Sequence, residues 1–184
     1  MEELSLHVLD LMENCLEAGA SRIDLEIIED SARNRLTIRV RDDGRGVDEE
    51  TLKRMDDPFF TTRTTRHIGL GIPLFKAAAR QCNGDLVVTS QPGVGTEVLV
   101  EFERDHIDRA PLGDIKSTLL SVILSQRRCD LHYVHRVDNR VFEFDTEEMR
   151  RALGGIPLGH PRVRAWLEDF LAAGYVGLYG SRFD

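Results

Sequence analysis

The stretch DLMENCLEAGA, Asp10 to Ala20, decides how the rest of the chain is read. Leu4, Val8, Leu11 and Cys15 recur at spacings of three and four, which predicts an amphipathic helix from about Glu2 to Ala18, ended by Gly19. Asp10 and Asn14 then lie one turn apart on one face, with His7 a turn earlier. A carboxylate and a carboxamide in register can offer oxygens to a magnesium ion or to an attacking water. The same stripe also serves as the wet face that any amphipathic helix needs. The sequence downstream decides between the two.

Ile23, Leu25 and Ile27 alternate with Asp24 and Glu26, and Leu36, Ile38 and Val40 alternate with Thr37 and Arg39. These are two half-buried strands, and the short polar turn of residues 29 to 34 makes them antiparallel. The second runs straight into Asp42-Asp43-Gly44-Arg45-Gly46. Two glycines spaced by one residue let the backbone turn sharply and approach a ligand, and a carboxylate fixed at the strand end can accept a hydrogen bond from an amine on it. The same pattern occurs in ordinary turns.

Asp48 caps a short helix of Glu49 to Met55, stopped by Asp56-Asp57-Pro58. From Pro58 the chain is rich in threonine and arginine without either periodicity, and reads as a loop. Residues 60 to 71 are expected to act as a lid, with Arg63 and Arg66 closing on an anion. A helix from about Ile72 to Cys82 carries Leu74, Phe75, Ala78 and Ala79 on one stripe. Gly69-Leu70-Gly71 thus stands at a helix N-terminus, where free amides and the dipole favour an anion, although a glycine hinge gives the same pattern. Leu86, Val88 and Ser90, then Val98, Val100 and Phe102, mark two more strands around Pro92-Gly93-Val94-Gly95, with Thr96 after the turn. The order up to Arg104 is that of a sheet with helices on one face.

The charge narrows the functional classes. The net charge of -8 is unevenly divided, with 20 acidic and 13 basic residues in 1 to 104, and 12 and 11 in 105 to 184. Such a surface argues against a nucleic-acid partner, whereas a nucleotide feels local amides, cations and metal more than the total. No apolar run is long enough to cross a bilayer and no basic leader precedes one, so a cytoplasmic protein without a membrane partner is expected. Cys15, Cys82 and Cys129 are scattered, which points to buried thiols and not to a disulfide framework or a zinc site.

Taken together, Asp10…Glu13-Asn14, Asp42-x-Gly44-x-Gly46, Pro58-Phe59-Phe60-Thr61-Thr62, Gly69-Leu70-Gly71 and Gly95-Thr96 resemble the successive boxes of the GHKL superfamily. That group comprises gyrase, heat-shock chaperones, histidine kinases and mismatch-repair ATPases, which share the Bergerat ATP-binding fold. ENCLEAGASRIDLEI and RDDGRG are similar to the mismatch-repair branch, and DPFFTTR and GLGIPL to the sensor kinases. The resemblance implies ATP or ADP with magnesium as ligand. It implies Asn14 as a magnesium ligand, Asp42 as acceptor of the adenine amine, Gly44 and Gly46 as the shape of the adenine pocket, and Thr96 as a water-mediated neighbour of adenine. Gly69, Leu70 and Gly71 would lie along the phosphates, with Thr61, Thr62 and Arg63 in the nucleotide-binding loop. In the hydrolytic branches a glutamate stands four residues before the asparagine; here that residue is Asp10. It is the candidate base, one methylene short, and a misplacement of ~1 Å costs on the order of 100-fold in rate. Glu13 is the weaker candidate, about 100° round the helix. His7 is not read as a phospho-acceptor, and His67 is either a phosphate contact or solvated.

Residues 105 to 184 do not resemble those boxes and are read as a separate appendage. They predict a connection to Asp114, a helix from Ile115 to Gln126, and a hairpin of Leu131–Arg136 and Arg140–Asp145 around Asp138-Asn139. A helix capped by Thr146 and another over Pro161 to Ala173 follow. A winged helix has this order too, but no arginine-rich recognition helix is present. The fold class is therefore α+β, a two-layer α/β sandwich over residues 1 to 104 with a small C-terminal α/β appendage for docking a protein partner. ATP-binding proteins with a similar tail accompany iron-only hydrogenases, which by resemblance alone implies a hydrogenase-related partner. The function expected is an ATP-binding regulatory protein with slow hydrolysis. The alternatives are a nucleotide sensor without catalysis and a kinase acting in trans, like the anti-sigma-factor kinases.

Overall fold

A computed structural model of the chain describes residues 3–54, 71–125 and 127–180. The first helix, α1 (Leu4–Glu17), is followed by strands β1 (Arg22–Asp30) and β2 (Arg35–Asp42) and the short helix α2 (Glu49–Arg54). Next come α3 (Gly71–Gln81) and the hairpin of β3 (Asp85–Gln91) and β4 (Gly95–Glu103). The C-terminal part holds α4 (Ile115–Ile123), β5 (Asp130–Val137), β6 (Arg140–Asp145), α5 (Thr146–Ala152) and α6 (Pro161–Tyr179).

The six strands form one sheet in the order β3-β4-β2-β1-β5-β6. Alternation does what the sequence predicts. Ile23, Leu25 and Ile27 on β1, Leu36, Ile38 and Val40 on β2, and Val98, Val100 and Phe102 on β4 are all buried, with more exposed residues between them. Against this face lies one core that draws residues from α1, α3, α4 and α6 alike. The mixed α+β architecture is that expected from the sequence.

The sheet does not stop at Arg104. β5 pairs with β1 in parallel, Arg22 opposite Asp130 through Glu29 opposite Val137, and every other neighbour is antiparallel. β4 and β5 therefore run the same way, and parallel strands need a crossover, which α4 supplies. This arrangement is not a winged helix, because the hairpin continues the sheet. The connection before α4 also closes the start of α1. The carbonyls of Pro111 and Leu112 accept from the N–H groups of Leu4 and Ser5 at 3.0 and 2.8 Å, two of the helix's orphan donors.

Three element details differ from the sequence reading. α4 ends at Ile123, three residues early. α5 is capped by Asp145, whose carboxylate accepts from Glu147 N–H at 2.8 Å, while the Thr146 hydroxyl accepts from Leu131 N–H. α6 continues to Tyr179 because Gly174 is not a stop: a Cβ there would run into the Phe142 ring, so the glycine lets helix and sheet close.

Candidate functional site

β2 delivers Asp42 to the end of the sheet, where the side chain is 7% exposed. Its Oδ1 accepts from the Gly44 N–H at 2.8 Å, which fixes the carboxylate at the turn. Next to it is Cys15 of α1. Its thiol is pushed far up by burial, then by the neighbouring Asp42 carboxylate to which it hydrogen bonds. A buried carboxylate of this kind is costly unless it is hydrogen bonded.

The glycines around Asp42 are required by close backbone approach. A Cβ on Gly46, which has φ +62°, would strike the Gln91 carbonyl, and one on Gly95 would strike the Asp42 carbonyl. Gly44 is pressed against Ala18, whose carbonyl accepts from Arg45 N–H at 3.0 Å. At Gly46 and Gly95 the two loops thus pack as backbone on backbone, while Gly44 sits against the Asp42 carboxylate and Ala18. Thr96 stands directly opposite Asp42 in the β2–β4 ladder.

Asp10 and Asn14 sit half-buried on α1. A Cβ on Gly71 would run into Asp10 Oδ2, so the Asp10 carboxylate lies against the N-terminal residue of α3. The structure therefore brings Asp10, Asn14, Asp42, Gly44, Gly46, Gly71 and Thr96 to the region where α1, the start of α3 and one end of the sheet meet. Asp10 and Asn14 offer hard oxygen donors of the kind magnesium takes, and no group of three His, Cys, Asp or Glu able to hold a metal occurs among the described residues. Two such donors suit an ion that completes its shell with water and phosphate oxygens.

Residues 2–106 match the model of the histidine kinase-, DNA gyrase B- and HSP90-like ATPase family. The chain belongs to that family. This ATPase-family chain is 25% identical over 99 residues to the sensor histidine kinase YvrG of Bacillus subtilis, covering 52% of this chain and 17% of that protein. It is 42% identical over 89 residues to the sensor protein kinase FleS of Pseudomonas aeruginosa, covering 48% of this chain and 22% of that protein. The chain thus spans about a fifth of the length of these curated relatives. In fold it is similar to the N-terminal domain of a DNA repair protein, with a TM-score of 0.53, 14% identity, and coverage of 78% of this chain and 52% of the other. That coverage exceeds the part matched by the family model, so the likeness in fold extends into the C-terminal strands or helices.

Within the ATPase-family site, some expected residues stand elsewhere. Glu13 is exposed and faces a groove shared with α4, on a different flank of α1 from Asn14. His7 is buried and stacked on Phe75, with ring centroids 4.4 Å apart and planes 5° from parallel, and burial pushes its imidazole down to about 4. It is a neutral core group. Thr61, Thr62, Arg63, Arg66, His67, Gly69 and Leu70, and with them the lid, lie outside the described residues. All three cysteines are free and buried, as the sequence predicts.

Two residues were missed. Asp43 accepts from the N–H groups of Ser21 and Arg22 at 2.8 and 2.9 Å and from the Ser21 hydroxyl, latching the β1 entry to the glycine turn. Its slight burial, which would raise its carboxyl, is outweighed by these bonds, which hold it below the usual range. The Ser90 hydroxyl meets Thr96 Oγ1 at 2.9 Å, donates to the Gly95 carbonyl and accepts from Val47 N–H. A serine on the stripe of Leu86 and Val88 was the signal for it.

Proposed function

We propose that the chain binds ATP with magnesium at this site, hydrolyses it slowly, and couples the nucleotide state to a protein partner. The observation that carries the reading is Asp42. A carboxylate held by the Gly44 N–H at a close-packed glycine turn is a fixed acceptor for an exocyclic amine, and Thr96 opposite it adds a hydroxyl. Asn14 is the donor for the cation, which when bound would neutralise phosphate charge. Asp10 is the candidate base: its carboxylate is on the Gly71 side of α1, where it can accept a proton from water. The family membership supports nucleotide binding, and the shortened base supports slow turnover.

Calorimetric titration with ATP, with and without magnesium, tests the binding. Asp42→Asn loses a charge-assisted hydrogen bond of about 1.5–3 kcal/mol, so affinity should fall by roughly 10- to 150-fold. Unchanged affinity would refute the pocket. Phosphate release tests the chemistry: Asp10→Asn should abolish turnover, and Asp10→Glu should raise it. Parent protein that binds ATP but releases no phosphate would favour a non-catalytic sensor. The partner, hydrogenase-related by resemblance, is expected to distinguish the ATP and ADP forms.

A further inference from the structure

The core face of the sheet ends in a polar row. Across β2, β4 and β3, Ile38, Val100 and Leu86 stand side by side, and Val40, Val98 and Val88 follow one step along. The next row on the same face is Asp42, Thr96 and Ser90, because directly paired residues share a face and every second residue returns to it. Asp42 is buried, and Thr96 and Ser90 are half-buried. Ser90 Oγ has three polar neighbours: the Val47 nitrogen at 2.9 Å, the Gly95 carbonyl oxygen at 3.0 Å and Thr96 Oγ1 at 2.9 Å. An amide N–H only donates, a carbonyl only accepts, and a hydroxyl has one proton and two lone pairs. The Ser90 proton therefore goes to Gly95, and its lone pairs take the Val47 N–H and the Thr96 hydroxyl. Thr96 is left donating to Ser90, with only lone pairs for any other group.

We infer that Ser90 is a positioning residue that sets base specificity: it holds the Thr96 hydroxyl as an acceptor, so that the row admits a base edge carrying an amine and disfavours one carrying a keto oxygen. This rests on the nucleotide site proposed above and deepens it. The Asp42 carboxylate also accepts only. With Thr96 set the same way, the two groups that a base edge meets in the row present no hydrogen to it. An exocyclic amine has two protons to give to such a row, whereas a keto oxygen brings lone pairs against lone pairs and leaves polar groups unpaired. Ser90 has no need to touch the base for this. Its bond from the Val47 N–H also ties the row to the glycine turn, since Val47 follows Gly46, and Thr96 is thereby held in place against Asp42.

The test titrates the full chain calorimetrically, with magnesium, against ATP and against inosine triphosphate, in which a keto oxygen replaces the amine. The parent should prefer ATP. In Ser90→Ala the Thr96 hydroxyl is free to turn and donate to the keto oxygen, so the ratio of the two affinities should fall roughly threefold to tenfold, the scale of one neutral hydrogen bond. Inosine triphosphate should bind no more weakly than to the parent, whereas a loss of structure weakens both ligands together. Ser90→Thr keeps the hydroxyl and should keep the ratio. In a Thr96→Val background, Ser90→Ala should leave the ratio where Thr96→Val alone sets it, since no hydroxyl is left to orient. Should Ser90→Ala fail to fold, Ser90→Cys, whose thiol is a weak acceptor, must lower the ratio in the same direction. A parent that binds ATP, with a ratio unchanged in Ser90→Ala or in Ser90→Cys taking its place, overturns the role of Ser90 and leaves the nucleotide site standing. A parent that binds neither triphosphate overturns both.

Discussion

Glu29 stands on the core stripe of β1, two residues after Ile27, where an apolar side chain is expected. Its carboxylate is paired with Arg104 at 3.6 Å and with His135 Nε2 at 3.2 Å, and it accepts from the Tyr179 hydroxyl. His135 is 0% exposed, and its Nδ1 meets the Tyr133 hydroxyl, which meets that of Tyr175 at 2.7 Å. The cluster joins β1, the end of β4, β5 and α6. Burial would raise the Glu29 carboxyl, but the hydrogen bonds from His135 and Tyr179 outweigh it and hold the group below its ordinary value. Glu29→Gln keeps the shape and one acceptor and removes the charge. Breaking a buried pair costs about 3–5 kcal/mol. Gln retains a neutral hydrogen bond and Arg104 is partly solvated, so about 2–3 kcal/mol is expected here. With a urea slope of about 2 kcal/mol per molar, the midpoint should fall by about 1 M. The pH dependence has a definite sign. A depressed carboxylate stabilises above its unfolded value and loses that contribution as pH falls through the folded value. The gap between parent and variant should therefore be full at neutral pH and close as pH falls below the ordinary glutamate value of 4.5. Urea melts at several pH values read both quantities. A neutral-pH difference under about 0.5 kcal/mol, or a gap independent of pH, would refute the account of the cluster as a charge-organised lock.

Gly46→Ala should destabilise far more than Gly19→Ala in parallel thermal melts. Both glycines have positive φ, worth about 1–2 kcal/mol, but only Gly46 also has the Gln91 carbonyl in the way. His7 titrates at about 4 in the fold against 6.5 when exposed. The unfolded chain binds that proton first, so stability should fall by about 1.4 kcal/mol per pH unit as pH drops through this window. His7→Phe, which keeps the stack on Phe75, should flatten that slope in denaturant titrations. Cutting the chain after Arg104 removes β5 and leaves β1 as an open edge, so the fragment should aggregate at concentrations where the whole chain stays in solution, as light scattering would show.

Much of this was legible from the chain alone. The alternation of Ile23, Leu25 and Ile27 against Asp24 and Glu26 reports directly which face is buried, and Asp42-x-Gly44-x-Gly46 signals a turn where backbone must meet backbone. What could not be read was tertiary. Nothing in Leu131–Arg136 says that its neighbour is β1, because a parallel partner more than a hundred residues away leaves no local signal. Gly174 reads as a breaker until Phe142 is seen against it. Asp43, adjacent to Asp42, looks equivalent to it in sequence. The pleat separates them, sending Asp42 into the core-side pocket and Asp43 to Ser21 on the surface.

The position of α1 ties these observations together. Its first N–H groups are held by Pro111 and Leu112, its core stripe by the sheet, and Asp10 by contact with the first residue of α3. The element that supplies the candidate cation ligand and the candidate base is therefore anchored by backbone from beyond the family-matched segment. A displacement of α1 on nucleotide binding would have to shift the 111–112 connection and hence α4, which packs on α6. The Glu29 cluster holds α6 to β1 in turn, so the C-terminal region cannot move as an independent unit without breaking a buried charge network. Any nucleotide signal reaching residues 105 to 184 should accordingly take the form of a small concerted shift of α1 and α4 and not of a swinging domain.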